Sequence, residues 1–199
     1  TLSCHALMAN NVGSEDDSQD QKNQTDAQGR KQGHWVYYGK DKPKQGYAAT
    51  DLVQEGPYKD NRMHGIWKFY YTKNKIKSEI EYSYNRPNGS YTTYHENGNK
   101  KEAGTWKGNK YVNDFTSFHE NGEVKKKATF NSSGKTDGVV EYRREDGTPE
   151  LIYESSNGKE SGKLTRYYPN GDVMEEMIMA DGNVKEGTKV EKKRVNPPK

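Results

Sequence analysis

The chain has 199 residues, of which only 29% are hydrophobic, and its 32 basic and 29 acidic residues leave a net charge of +3. So few apolar side chains cannot fill a large enclosed core, and so even a balance provides no whole-molecule field to draw in a nucleic acid. Tyr is the dominant ring, with 15 residues against 4 Phe and 3 Trp, and a tyrosine can bury its ring while its hydroxyl stays in water.

Residues 1–29 read as an N-terminal tether. Asn10 to Arg30 is mainly Asn, Gln, Asp and Ser, with no periodic apolar pattern, the composition of a flexible segment. A coil of about 25 residues spans roughly 25–30 Å on average. The single cysteine, Cys4, stands ahead of this tether and has no partner for a disulfide within the chain. Thr1-Leu-Ser-Cys4 resembles a bacterial lipoprotein processing site, although the leucine lies two residues before the cysteine and not the usual three. The chain begins at Thr1 and not at Met. The resemblance implies an upstream export signal, a lipid on Cys4 and an outer-membrane lipoprotein of a bacterial envelope. Ser14-Glu-Asp-Asp17 resembles, more weakly, the acidic stretch of surface-exported lipoproteins in Bacteroidota-like bacteria. No segment of the sequence is long and apolar enough to span a membrane as a helix.

Residues 30–190 are organised by a repeat. A glycine followed two places on by a ring or apolar residue recurs as Gly33-His-Trp35, Gly65-Ile-Trp67, Gly89-Ser-Tyr91, Asn113-Asp-Phe115, Gly138-Val-Val140 and Gly162-Lys-Leu164, with a degenerate seventh anchor at Gly187. The spacings are 32, 24, 24, 25, 24 and 25. A fixed period of this length marks an array of stacked units. Each unit carries two turn signals. Asn97-Gly98, Asn121-Gly122, Asp146-Gly147 and Asn170-Gly171 form one set. Asn85-Arg-Pro-Asn88, Gly108-Asn109, Ser133-Gly134, Asn157-Gly158 and Asp181-Gly182 form the other. Two turns per unit leave two segments of strand length, so each unit is a β-hairpin.

The second segment of each unit alternates, with apolar positions such as Val124, Ala128, Phe130 and Val173, Met177, Met179 on one expected face. Ile76, Ile80 and Tyr82 match them. In the first segment the rings fall at anchor +2 and +5, as in Trp67 and Tyr70 or Tyr91 and Tyr94. A gap of three places them on opposite faces of a regular strand, so either both faces carry rings or a bulge intervenes. Thr92, Thr116 and Thr165 share anchor +3. The expected fold is all-β: an elongated antiparallel meander of about six hairpins, single-layered or lightly curled, with ladders of aromatic rings. Residues 191–199 form a basic C-terminal tail, and the basic run begins at Lys189.

No catalytic constellation emerges. His95-Glu96 and His119-Glu120 occupy the same slot 24 residues apart, but a zinc helix needs a second His one turn on. They read as turn residues duplicated with the repeat. Nucleophile elbows, Walker loops and dinucleotide fingerprints are absent from the sequence. Neighbouring Glu175 and Glu176 point to opposite faces of a strand. No enzyme, cofactor or metal site is expected.

The string Gly-x-Trp/Tyr-x-x-Tyr, then Asn-Gly, then a strand and Asn-Gly-Lys-x-x-Gly, resembles the MORN-repeat variant family. Its clearest copies are Gly89 to Gly98, and Asn157 to Gly162 through Leu164, Tyr167, Tyr168, Asn170 and Gly171. Three departures stand out: an insertion around Lys44–Asp51, Asn113 in place of Gly, and Arg143 in place of the +5 ring. The resemblance implies an elongated scaffold or binding module. Some bacterial relatives carry an antitoxin or immunity label. The resulting expectation is a lipid-anchored, non-catalytic interaction protein whose partners are envelope membrane proteins. Its candidate contact residues are Trp35, Trp67, Tyr91, Tyr94, Trp106 and Arg143, since rings and Arg dominate protein contacts. An exposed terminal strand offers a second route, by pairing with a partner strand. Neutralising a toxic partner and stacking on a glycan are the alternatives.

Overall fold

The computed structural model describes residues 22–43 and 46–192. Cys4, the acidic Ser14–Asp17 stretch, Lys44 of the insertion and the tail beyond Lys192 lie outside the described residues. Sixteen strands make one open, antiparallel sheet. The first six are β1 (Gln24–Thr25), β2 (Lys31–Tyr38), β3 (Leu52–Lys59), β4 (Arg62–Met63), β5 (Gly65–Tyr70) and β6 (Ile76–Ser83). Then follow β7 (Arg86–Tyr94), β8 (Lys100–Lys107), β9 (Lys110–Phe118), β10 (Val124–Phe130) and β11 (Gly138–Arg143). The last are β12 (Pro149–Ser156), β13 (Lys159–Tyr167), β14 (Val173–Ala180), β15 (Asn183–Val184) and β16 (Val190–Glu191). Strands neighbour one another in chain order, apart from β4, which pairs with β3, and β16, which pairs with β14. The six expected hairpins are β2–β3, β5–β6, β7–β8, β9–β10, β11–β12 and β13–β14.

Two rows of residues run unbroken through the whole sheet. Anchor +3 residues and their partners give Val36, Glu55, Lys68, Glu79, Thr92, Ala103, Thr116, Lys127, Glu141, Ile152, Thr165, Glu176 and Val190. Anchor +4 residues give a parallel row from Tyr37 through Phe69, Thr93, Ser117 and Tyr142 to Arg166 and Glu175. Neighbouring positions in a strand point to opposite sides, so the +4 row and the +2 rings share one face, here the ring face. The +3 row lies on the far face.

Irregularities flank these rows at fixed places. Each hairpin carries one extra residue on its second strand, opposite the step from +4 to +5: Val53, Lys77, Lys101, Lys125, Glu150 and Met174. This bulge answers the question raised by the ring spacing. Both faces carry rings, the +2 rings on one side and the +5 residues on the other, and a bulge is present as well. It also corrects the expected apolar alternation of the second strand. The extra residue flips the strand's parity, so Ile76, Val124 and Val173 pair with Tyr70, Phe118 and Tyr167 on the far face. Ala128 and Met177 pair with Phe115 and Leu164 on the ring face.

The second irregularity is the anchor itself. Between Ala103/Thr116 and Thr105/Val112 the two strands lose register, with Asn113 in the longer excursion; Gly89 and Gly162 sit in equivalent excursions. Backbone φ is positive at every anchor, including Gly89 (130°) and Asn113 (59°). Asn is one of the few side chains that tolerates this region, which explains its substitution for Gly. The two turn sets also differ. Asp60-Asn61, Tyr84-Asn85, Gly108-Asn109, Asn157-Gly158 and Asp181-Gly182 have positive φ at both positions, the signature of two-residue hairpin loops. At Asn97-Gly98 and Asn121-Gly122 only the Gly takes positive φ. There the Asn side chain accepts the amide two residues on, at 2.9 Å in both turns.

At both ends of the sheet the long strands are flanked by short, exposed two-residue strands. Strand β1 pairs with the start of β2 through Gln24↔Gln32 and Thr25↔Lys31. Farther along, the Asn23 side chain acts like a peptide group: its Oδ1 accepts from Val36 N at 2.8 Å and its Nδ2 donates to Val36 O at 3.3 Å. The fold therefore begins before residue 30, inside the segment read as tether. At the other end, Gly187 heads a shortened seventh unit. Its strand β16 meets β14 at Val190↔Glu176 and Glu191↔Glu175, in the same +3 and +4 register. Thr188 Oγ1 accepts from Ile178 N at 3.1 Å.

The anchor slot is directly testable. Asn113 is exposed, so packing does not confound a substitution. Asn113→Ala is expected to lose about 1–2 kcal/mol through its forced left-handed backbone, while Asn113→Gly stays at or above wild-type stability. Urea unfolding of both variants checks this; an Ala variant as stable as the Gly variant contradicts it.

Candidate functional site

The ring face is packed by alternating large and small residues. Across the +2 row, Trp35 faces Gly56, Trp67 faces Ile80, Tyr91 faces both Ile80 and Gly104, and Phe115 faces Ala128. A Cβ at Gly56 would come within 2.5 Å of the Trp67 ring, so only glycine lets that indole lie down. The rings form two groups. One joins Trp35, Tyr37, Tyr58, Trp67, Phe69 and Tyr82. The other joins Tyr91, Trp106, Tyr111, Phe115 and Phe130. Beyond them the core becomes aliphatic, with Leu164, Met177 and Met179 packed against Leu151 and Tyr153.

The six sequence-selected contact residues do not form one surface. Trp67 is fully buried and donates its Nε1 proton to Pro57 O at 2.9 Å. Tyr91 is buried between Trp106 and Tyr111. Trp106 stacks on Tyr111 with centroids 4.4 Å apart. Trp35 holds the N-terminal strand by donating toward Gln24 O and Gln32 O, under the Lys31 ammonium 4.5 Å from its ring. Tyr94 and Arg143 lie on the far face, Tyr94 donating to Glu79 at 2.8 Å and Arg143 paired with Glu141 at 2.5 Å. Trp67 and Tyr91 are core residues with no surface to offer a partner.

Along the turn edge, one column of side chains ties each hairpin to the next. The residue at anchor +6 donates to the carbonyl of the +5 residue one unit later. Tyr71 reaches Tyr94 O at 3.0 Å, His95 Nε2 reaches Phe118 O at 3.1 Å, and His119 Nε2 reaches Arg143 O at 2.8 Å. Arg144 reaches Tyr167 O at 2.7 Å and Tyr168 reaches Lys192 O at 3.4 Å. In the first unit the +6 position is Gly39, and the insertion supplies Tyr47 instead, bonded to Tyr70 O at 2.6 Å. A Cβ on Gly39 would collide with Ala48 O at 2.1 Å, so glycine there lets the insertion pass. His95 and His119 are thus inter-repeat clasps, and no group of three metal-ligating side chains occurs among the described residues.

The far face carries a second inter-repeat contact. The Tyr70 hydroxyl donates to Glu55, and Tyr94 to Glu79. In the next unit the +5 residue is Phe118 and Ala103 stands at the carboxylate position. Hydroxyl and carboxylate disappear together, as expected where an unpaired buried hydroxyl is costly. Burial raises the Glu55 carboxyl, but the bonds from Tyr70 and His34 outweigh it and leave the pKa lowered. Burial and the bond to Glu79 push Tyr94 up to about 12.

One stretch of the ring face stays open. Over the fifth and sixth hairpins a groove of about 510 Å³ is lined by Tyr142, Leu151, Tyr153 and Met174, with Glu150, Glu160, Arg144, Arg166 and Tyr167 around it. It opens where the aromatic packing gives way to aliphatic core. Sequence reading missed both features. The +6 column could have been found, because Tyr71, His95, His119, Arg144 and Tyr168 are all long donors in one slot. The groove could not, because it depends on what the neighbouring rings leave unfilled.

Four segments, residues 63–84, 87–107, 112–132 and 160–181, match the model of the MORN repeat variant. These four segments are similar to MORN-variant repeats. Such repeats are generally protein- or membrane-interaction modules and are non-catalytic. The matched segments coincide with the second, third, fourth and sixth hairpins. The first hairpin, with its insertion, and the fifth, with Val140 and Arg143, fall outside them. Among curated proteins, none matches the chain.

The Tyr70–Glu55 contact gives a pH-dependent prediction. Glu55 has a folded-state pKa below its unfolded value, so its stabilisation is complete above the ordinary carboxylate range and is lost as pH falls through the folded value. Tyr70→Phe is expected to cost about 1.5 kcal/mol near neutral pH, and the gap to wild type narrows on acidification. Urea unfolding of both proteins at neutral and acid pH reads it; a pH-independent gap contradicts it.

Proposed function

We propose that this MORN-variant chain is a non-catalytic protein-interaction module that engages its partner through the groove on the ring face of the last two hairpins. The observation that carries this reading is the groove's location. Over the first four hairpins the ring face is packed by the chain's own rings, and here a cleft of about 510 Å³ has tyrosine and aliphatic walls. Its walls carry tyrosine, methionine and arginine, which are enriched at protein interfaces. The contact surface therefore moves away from Trp67 and Tyr91, which are committed to the core.

The cellular setting rests on the sequence. Thr1-Leu-Ser-Cys4 and the polar stretch after it support a lipid-anchored accessory subunit of a bacterial envelope complex, attached at the outer membrane through Cys4. A triacylated cysteine anchors firmly, at about 0.8 kcal/mol per buried methylene. The anchor reading predicts that mass spectrometry of the native protein finds acyl mass on Cys4. A mature N-terminus at Cys4 without that mass contradicts it.

The groove reading predicts an asymmetric crosslinking pattern. A photoreactive phenylalanine analogue in place of Tyr153 is expected to capture a discrete, stoichiometric partner in the native envelope. The same analogue in place of Ile66, which is 55% exposed on the far face, is expected to capture none. Equal capture at both positions, or capture only at Ile66, overturns it.

A further inference from the structure

We propose that the groove receives an extended basic segment of the partner protein, with Glu150 and Glu160 each taking one arginine or lysine side chain. This rests on the reading of the groove as the contact surface. The charges around the groove are unequally committed. Arg144 spends its guanidinium on the carbonyls of Pro149, Tyr167 and Tyr168. Arg166 is paired with Glu175 at 3.2 Å. Glu150 and Glu160 have no ion-pair partner among the described residues. The groove thus has two satisfied cations and two unanswered carboxylates, and the complementary ligand is cationic.

The other rings on this face support the same chemistry. Lys31 lies 4.5 to 5.2 Å from the centroids of Trp35, Tyr37 and Tyr58. Lys42 lies 4.4 Å from Tyr37, and at one wall of the groove Lys126 lies 5.0 Å from Tyr142. These rings are answered by the chain's own ammonium groups, an arrangement favoured by the ring quadrupole. Tyr153, inside the groove, has no such cation among the described residues. A cation from the partner would complete there what lysine completes elsewhere. Its methylene stem suits Leu151 and Met174, since long basic side chains lay their stems on apolar surface and keep the head polar.

Register fixes the spacing. Leu151 pairs with Arg166 and Ser155 with Glu160, so Glu160 stands level with Ser155, five positions along the strand direction from Glu150. At about 3.3 Å per residue their backbone positions are separated by roughly 16 Å along the strand. An extended peptide presents residues i and i+4 on one side, about 13 Å apart, and flexible basic side chains span the remainder. The recognised pattern is two basic residues separated by three others.

The test uses the described protein in its full-length form, isotope-labelled, with two probes: acetyl-Arg-Ala-Ser-Ala-Arg-amide and its counterpart with Glu in place of both Arg. Amide shifts confined to β12 and β13 with the basic peptide, and at least a ten-fold loss of affinity in E150Q/E160Q, are expected. Both carboxylates lack ion pairs, so the double variant should melt with wild type, and its melting temperature is measured alongside. Binding of the acidic peptide in the groove overturns the inference, as does basic-peptide binding that is indifferent to E150Q/E160Q. If the Tyr153 crosslinker captures its partner while the basic peptide leaves β12 and β13 unshifted, the groove stands as the contact surface and its cationic specificity falls. If both fail, both readings fall.

Discussion

A carbonyl that the sheet cannot satisfy shapes this molecule. Between successive hairpins the ladder ends at anchor +4: Phe69 still pairs with Gln54, Thr93 with Ser78, and Ser117 with Glu102. One step further the bulge has carried the preceding strand away, and the +5 carbonyl has lost its ladder partner. An unpaired backbone carbonyl that is shielded from water costs about as much as a lost hydrogen bond. The +6 side chain of the preceding unit supplies the missing donor, whether it is tyrosine, histidine or arginine. The requirement is for a long donor and not for a particular residue, so the column varies in type while its bond is kept. The first unit shows the strength of the constraint. Its +6 residue is a glycine, and an insertion brings Tyr47 to the same acceptor position.

The same bulges divide work between the two faces. Alternation along the first strand puts the +5 residue on the far face, and the bulge opposite it turns the start of the second strand the same way, so the ring face keeps only the +2 and +4 rows and the strand ends. Trp67 over Gly56, and Tyr91 beside Gly104, fill that width by pairing a large side chain with a bare backbone. Where the first strand offers Val140 or Leu164 instead of a ring, the large residue moves to the second strand as Tyr153. That exchange keeps the core closed at the +2 row but leaves the +4 side open around Leu151 and Arg166. The groove is thus a consequence of how volume is distributed in the last two units, where the packing rule of the repeat changes.

Much of the fold was legible in the sequence, because glycine positions report backbone demands that no other residue meets as well. The period and the six hairpins follow from Gly and Asn placement, but Ser133-Gly134, read with the second turn set, takes positive φ only at Gly134, as the first set does. The bulge was not legible: Val124, Ala128 and Phe130 look like one apolar face, and nothing local to Lys125 announces an extra residue. Two of the expected contact residues lie in the core for a related reason. Trp67 and Tyr91 are rings at repeat positions, and rings that suit a partner also suit a core; only burial separates the two. The pairing of Asn23 with Val36 was not legible, because Asn23 appears in a polar run where its role as a surrogate peptide group cannot be read. Positions that break the pattern were informative in unequal ways. Asn113 preserves the backbone rule of the slot it occupies. Arg143 turns to Glu141 on its own strand, where Lys127 replaces the carboxylate met by Tyr70 and Tyr94 in their units.

The clasp column is the central claim, and the protonation of two histidines tests it most directly. A carbonyl oxygen has no proton to give, so a neutral imidazole that bonds one through Nε2 must carry its proton there. Long-range nitrogen–proton correlation spectra of the histidine side chains report the tautomer of each ring. The account predicts that His95 and His119 both hold the proton on Nε2, with those protons protected from solvent exchange. Either ring found as the Nδ1–H tautomer, with a bare Nε2 facing Phe118 O or Arg143 O, would contradict it.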